Sequence, residues 1–301
     1  MAEILVVGSL AYDTISTPVG KADRTLGGSA NYFSLAASLY SQVRVVGVVG
    51  EDYLASDLEL LTKRAVDVTG LQKQKGKTFH WTGQYKGDMN EAITLATDLN
   101  VFEHFNPEIP SAYKNSSYVF LANIDPILQL RVLEQIKQPK LVASDTMNFW
   151  ISSKLPELKK VLSKVDVLLV NEAEADSISQ KANAIASAQE ILAMGPKAVV
   201  IKRGEYGFVL ATKEGYFILP AFPIAEVIDP TGAGDTFAGA FFGYLAKQDK
   251  GFDLEVLRQA CVQGVLLASF TVQAFGVERL KSLAWAEVEA RHAEYFKVTK
   301  L

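Results

Sequence analysis

Side chains that staple or metallate a fold are scarce in this 301-residue sequence, which has one cysteine, Cys261, and three histidines. A single thiol excludes an intrachain disulfide, and so few soft ligands leave a structural zinc site without donors. Excess positive charge is missing as well. Thirty basic against 34 acidic residues give a net charge of −4, and no lysine or arginine run tracks a phosphate backbone, so nucleic acid is not an expected partner. No apolar stretch approaches the roughly 18 residues of a membrane span. Ile4–Val7 is too short for a signal core, and Met1-Ala2-Glu3 carries no cationic side chain. The expectation is a protein that needs no membrane and works in the reducing cytoplasm. Two nucleotide motifs are also lacking. No Gly-x-Gly-x-x-Gly follows the first strand and no Gly-x-x-x-x-Gly-Lys-[Ser/Thr] occurs, which argues against a dinucleotide oxidoreductase and a P-loop enzyme.

What is present is a strand–helix alternation. Ile4–Val7, Val43–Val49, Tyr118–Leu121, Leu141–Ala143, Val167–Val170 and Val199–Ile201 are short runs apolar on both faces, as buried parallel strands are. Helical patterns lie between them, at about Ser29–Tyr40, Asp52–Arg64, Pro126–Lys137, Ser153–Val161 and Ala182–Met194. Two later segments, Asp235–Lys247 and Leu254–Phe270, are apolar almost all round and should be the most buried helices. The pattern predicts an α/β fold, a mostly parallel sheet with helices on both faces. Its length suits a single domain spanning 1–301 with a small accessory element. Two segments break the alternation: about 11–26, which is polar, and about 77–100, which reads as a hairpin with Phe79, Trp81 and Tyr85 before a turn at Lys86-Gly87-Asp88. Together they predict a small β flap. Its aromatic residues suit a cover over a ring or, equally, a flap core or dimer contact.

The stretch that carries chemistry is Asp229-Pro230-Thr231-Gly232-Ala233-Gly234-Asp235. Gly232 and Gly234 allow backbone angles closed to other residues, and a helix starting at about Ala233 would aim the N–H groups of Gly232, Ala233 and Gly234 into one small volume at its positive end. That is an anion site. A carboxylate beside it, Asp235, would repel a merely bound phosphate. It makes sense if it takes a proton from an attacking hydroxyl while the amides hold the transferred group. The bland alternative, an acid stabilising its own helix dipole, is weakened by the glycines and the small residues that follow. The dipole should also keep Asp235 ionised.

These residues resemble the C-terminal signature of the ribokinase-like, or phosphofructokinase-B type, sugar kinases, and Leu26-Gly27-Gly28-Ser29-Ala30-Asn31 with Val45–Asp52 resembles their first signature. The resemblance runs from Ile4 to about Gly276. It implies ATP-dependent transfer of a phosphoryl group to a primary hydroxyl of a sugar, with a nucleoside as the alternative acceptor, Asp235 as catalytic base and Mg2+ as cofactor. A non-catalytic sugar- or nucleotide-binding regulator is disfavoured because Asp235 is present. Asp13, Gly28 and Asn31 resemble the positions that hold the acceptor. A carboxylate accepts from two vicinal hydroxyls and an amide both donates and accepts, though Asp13 also suits a turn and Asn31 a helix start. Asn171 and Glu174 resemble the element that places the nucleotide phosphates and, through water, magnesium; the same pair fits a capping box. Lys202 and Gly204 resemble the nucleotide edge, against the reading of a solvated hairpin turn. Asp229 and Thr231 resemble half of a monovalent-cation site, which makes K+ an expectation, and relatives suggest a homodimer through the lid. One departure stands out. Where relatives often carry Asp-x-Asn-x-Arg, this chain has Asp145-Thr146-Met147-Asn148-Phe149-Trp150, which leaves Asn148 without an assigned role.

Overall fold

The computed structural model describes residues 2–87 and 89–300. Asp88, the last residue of the anticipated turn, lies outside them. Among the described residues thirteen strands occur in chain order: Glu3–Val7 (β1), Ala11–Thr17 (β2), Gly20–Gly27 (β3), Gln42–Val49 (β4), Val66–Lys73 (β5), Phe79–Tyr85 (β6), Ala92–Asp98 (β7), Tyr118–Leu121 (β8), Leu141–Ser144 (β9), Val167–Asn171 (β10), Ala198–Lys202 (β11), Phe208–Thr212 (β12) and Gly215–Leu219 (β13). Nine of them form one sheet in the order β13-β12-β11-β10-β9-β8-β1-β4-β5. The seven from β11 to β5 are parallel, while β12 and β13 close the edge as antiparallel hairpins. The six strands expected from apolar runs are all in this sheet. Of the other three, β5 and β13 are the sheet's edges and are only partly buried, as strands with one wetted face are, whereas β12 is buried throughout.

Both faces carry helices. On one, Ser29–Ala37, Ala233–Gln248 and Leu254–Thr271 bury Phe33, Phe241, Phe242 and Leu266. Gly239 and Gly243 explain the close fit of the first two: a methyl at Gly239 would lie 2.3 Å from Phe33 O, and one at Gly243 3.0 Å from Ala37 O. Part of the small-residue run after Asp235 is therefore a helix-packing feature. The other face is covered by Pro126–Gln135, Leu155–Leu162 and Ala184–Ala193. The helix expected over Ser153–Val161 is two, Asn148–Ser153 and Leu155–Leu162, broken at Lys154 just before Pro156 is accommodated in a first turn.

The remaining strands make a second sheet, β3-β2-β6-β7, with β2 and β6 parallel and both outer pairs antiparallel. Segments some sixty residues apart in the chain thus share one sheet. On β6 the alternate residues Phe79, Trp81, Gly83 and Tyr85 share a face, and Asp13 pairs with Trp81. Phe79 stacks on Phe102, with ring centroids 5.5 Å apart. The outermost strand, β7, is exposed along its whole length, Leu95 at 60%. The hairpin's apolar face is therefore covered on β6 and bare on β7.

Candidate active site

The carboxyl ends of adjacent parallel strands collect ligand groups, and here three neighbours each deliver one. Asp145 follows β9, Asn171 ends β10 and Lys202 ends β11, paired in register with Asn171. Asp145 and Lys202 form a buried ion pair of 3.1 Å, and Asp145 Oδ1 accepts from Thr146 N at 2.7 Å. Burial alone would pull the Lys202 ammonium down, but Asp145, Glu174 and Asp235 outweigh it and hold it above the ordinary lysine value. Lys202 is thus not one of two solvated cations in a hairpin. Arg203 is the outward one, bound to Glu172.

Facing these strand ends is the turn of 229–235. Gly232 has φ 74° and serves as the N-cap of the helix Ala233–Gln248, so the helix begins where the sequence placed it. Of the three amides expected to hold an anion, that of Ala233 donates to Pro230 O at 3.2 Å. Those of Gly232 and Gly234 meet no backbone acceptor among the described residues. A methyl at Gly234 would sit 3.0 Å from Lys202 Nζ. One cation and two amides therefore converge, and Asp235, which stays partly exposed, lies beside them. Its carboxyl is pushed up to about 7, first by burial and then by Asp145, with Lys202 opposing. The helix dipole does not keep it firmly ionised. A dipole contributes about 0.3–1 kcal/mol, less than one pH unit, and desolvation near a second carboxylate is larger.

Asn171 and Glu174 form the capping box in full: Asn171 Oδ1 accepts from Glu174 N, and Glu174 Oε2 from Asn171 N, both at 2.8 Å. The structural reading of that motif is realised, yet Glu174 also faces the site. Burial and then Asp145 push its carboxyl up, with Lys202 opposing, and Oε1 keeps no hydrogen-bond partner among the described residues. Gly204, at φ 55°, is approached by Asn90 from the loop after β6, whose Oδ1 would lie 2.9 Å from a methyl there. Asn148 is exposed at the start of its short helix.

On the opposite side of the turn lies Asp13. It is buried, and its carboxyl is pushed up to about 8, first by burial and then by Asp229 and Asp235, while the Gly28 amide donates to it and opposes the shift. Gly28 contributes in a different way from that expected of it. At φ 89° it starts the helix Ser29–Ala37, and a methyl would lie 2.6 Å from Ser9 O, so its open side is filled by the chain itself. Asn31 likewise turns inward. It is fully buried, donating to Gly27 O at 2.6 Å and accepting from the Tyr53 hydroxyl at 3.2 Å. The next residue, Tyr32, points at the turn: a methyl at Gly232 would lie 2.3 Å from its ring. Sequence reasoning gives no role to Tyr32, whose only signal is its place next to Asn31, nor to Asp145, which opens the stretch that departs from Asp-x-Asn-x-Arg.

Asp229 is fully buried, its two oxygens accepting from Thr231 N and Gly276 N at 2.9 Å each. The turn is thereby tied to the 272–276 loop. Thr231 Oγ1 donates to the Tyr85 hydroxyl at 3.2 Å, which joins the small sheet to the same turn.

Comparison with known proteins bears on the family and the fold. The sequence profile of the pfkB family carbohydrate kinases matches residues 1–282. The cytidine kinase of Thermococcus kodakarensis is 30% identical over 261 residues, covering 85% of this chain and 91% of that protein. The ribokinase of Bacillus subtilis is 25% identical over 307 residues, covering 92% and 95%. Among solved structures, the Burkholderia thailandensis nucleoside kinase in complex with ADP-inosine superposes with a TM-score of 0.79 at 20% identity, covering 99% of this chain and 98% of that one. A ribokinase II from E. coli described with ATP and Mg2+ gives a TM-score of 0.80 at 17% identity, covering 98% and 100%.

Proposed function

The chain belongs to the pfkB family of carbohydrate kinases, and from that premise we propose that it transfers the γ-phosphoryl group of ATP to a primary hydroxyl of a neutral sugar or nucleoside. The observation that carries the proposal is that Asp235 and Lys202 flank one glycine-hinged turn, a base and a cation at the same anion site. In the reaction Asp235 takes the proton as the acceptor oxygen attacks phosphorus, the bond to the β-phosphate oxygen breaks, and ADP leaves. The amides of Gly232 and Gly234, with Lys202, hold the charge spread over the moving group. A loose transition state asks more of positioning than of basicity, so a carboxylate near 7 suffices.

Asn171 and Gly204 lie toward the nucleotide, Asn171 through the Nδ2 that its cap leaves over. Magnesium supplies neutralisation of the phosphates when bound, and Glu174 fits it through water, since Oε1 is uncommitted. Asp229 and Thr231 fit a monovalent cation: a fully buried carboxylate there meets two N–H groups and, among the described residues, no basic side chain. Asp13 holds vicinal hydroxyls. The second sheet, segments about 11–26 and 77–100 of a single domain, acts as the lid that excludes water. The bare β7 strand, with Ile93 and Leu95 exposed, supports a homodimer through that lid. Dependence on ATP goes with a cytoplasmic location.

A nucleoside acceptor is favoured by one feature. Trp81 stands on the lid face beside Asp13, its ring lying over Gly83, where a methyl would come within 1.9 Å. An aromatic plane suits a base.

The test is ADP release with Mg2+ and K+ across free sugars, sugar phosphates and nucleosides, by the native enzyme and Asp235→Asn. Turnover on neutral acceptors is expected, with kcat falling about 10²–10⁴-fold in the variant and ATP affinity little changed. Substantial turnover by Asp235→Asn would remove the base, and activity confined to sugar phosphates would remove the neutral acceptor.

A further inference from the structure

Among the described residues, the Tyr32 hydroxyl is one of a few buried side-chain polar atoms without a hydrogen-bond partner. The residue is 1% exposed, on the first turn of the helix Ser29–Ala37, with its ring against Gly232. Leaving a hydroxyl unpaired in a protein interior costs about 1–3 kcal/mol. A fold that keeps one at a ligand site keeps it for something that arrives later. Burial, reinforced by Asp13, Asp229 and Asp235, holds the phenol well above its ordinary value, so it remains a neutral donor. The neighbouring Asn31, the obvious candidate on sequence, has its amide committed to Gly27 and Tyr53.

We infer that Tyr32 is the acceptor-contacting donor of this enzyme: its hydroxyl gives a hydrogen bond to an oxygen of the substrate while Asp13 accepts from the substrate's diol and Asp235 from the hydroxyl that attacks. This rests on the kinase reading above and adds a residue and a substrate class to it. The charged groups that act on Tyr32 are all acidic, and Lys202 is held on the far side of the turn by Asp145. An acceptor already carrying phosphate or carboxylate would find no counterion among them. A neutral furanose ring, free or in a nucleoside, presents the ether and hydroxyl oxygens that a lone phenol donor can use. When Tyr32 donates to the attacking oxygen, that oxygen keeps its own proton for Asp235.

The experiment is Tyr32→Phe, which keeps the ring against Gly232 and removes only the hydroxyl. With the best acceptor found for the native enzyme, KM for the acceptor should rise roughly tenfold, the loss expected for one hydrogen bond. KM for ATP should stay the same. The melting temperature should hold or rise, because a hydroxyl with no protein partner stabilises nothing in the free enzyme. An unchanged acceptor KM overturns the inference, as does a lowered one, which would make Tyr32 an obstruction. A fall in melting temperature with both KM values unchanged assigns the hydroxyl a structural role and also overturns it. If the native enzyme phosphorylates nothing in the panel, the kinase reading falls first and this assignment with it, whereas activity in the native enzyme with an indifferent Tyr32→Phe removes the assignment alone.

Discussion

On one side of Asp235, Lys202 lies between Asp145 and Glu174, and every charge has an opposite within reach. On the other, Asp13 and Asp229 face the phenols of Tyr32 and Tyr85, and among the described residues no basic side chain acts on them. The first side stands on the central strands of the large sheet, where side chains are locked by packing. The second is shared between one helix of the main body and a four-stranded sheet whose outer strand is bare. The contrast matches the two substrates of a kinase. A polyanionic donor needs a cation kept ready, and a neutral acceptor needs hydrogen-bonding groups and no counterion.

Between the two sides, the largest effect should come from removing the cation. Lys202→Ala leaves Asp145 and Glu174 buried without their counterion, so stability should fall by about 3 kcal/mol, and KM for ATP should rise at least tenfold while that for the acceptor changes little. Thermal melts and two-substrate kinetics read both. Equal rises in the two KM values would erase the division between the sides. Next comes Asp13→Asn, expected to raise acceptor KM without touching ATP. It carries a pH signature too. The Asp13 carboxyl sits at about 8 in the folded protein and near the ordinary 3.8 when unfolded. The native state therefore holds a proton that the unfolded chain releases, and stability should decline as pH rises from about 4 to 8. The Asn variant should show a shallower decline in melting temperature over that window; an identical slope would mean that Asp13 is ionised like a surface residue. The smallest effect belongs to Tyr85→Phe. It removes the hydrogen bond from Thr231 at 3.2 Å, worth about 1 kcal/mol, and should change kcat/KM several-fold through the fit of the small sheet on the turn. No change in kcat/KM would show that this bond does not seat the sheet.

The fold was largely legible because a parallel strand buried on both faces leaves an unbroken apolar run, and six such runs were present. The edge strands β5 and β13 leave no such run because one face of each is wetted, and β12, though buried throughout, is a five-residue stretch enclosed between polar turns. The turn of 229–235 was readable for another reason: glycine spacing at a helix start is a local property, and φ 74° at Gly232 is what that residue type permits. The ionisation of Asp235 is not legible locally, because the helix dipole is local whereas burial and Asp145, ninety residues away in the chain, set it. Asn31 and Tyr32 teach the same lesson at single-residue scale. Both lie in the first turn of one helix, and only the crossing of that helix with Ala233–Gln248 decides which of the two faces the turn.

From the order of residues alone came the α/β architecture, the glycine-hinged helix start and the acid beside it, since hydrophobic period and backbone permissiveness act over a few residues. Tertiary structure decided which groups share the site, which carboxyls hold protons and which hydroxyl is left unpaired. Burial and the field of distant charges set those properties, and both exist only once remote segments are packed together.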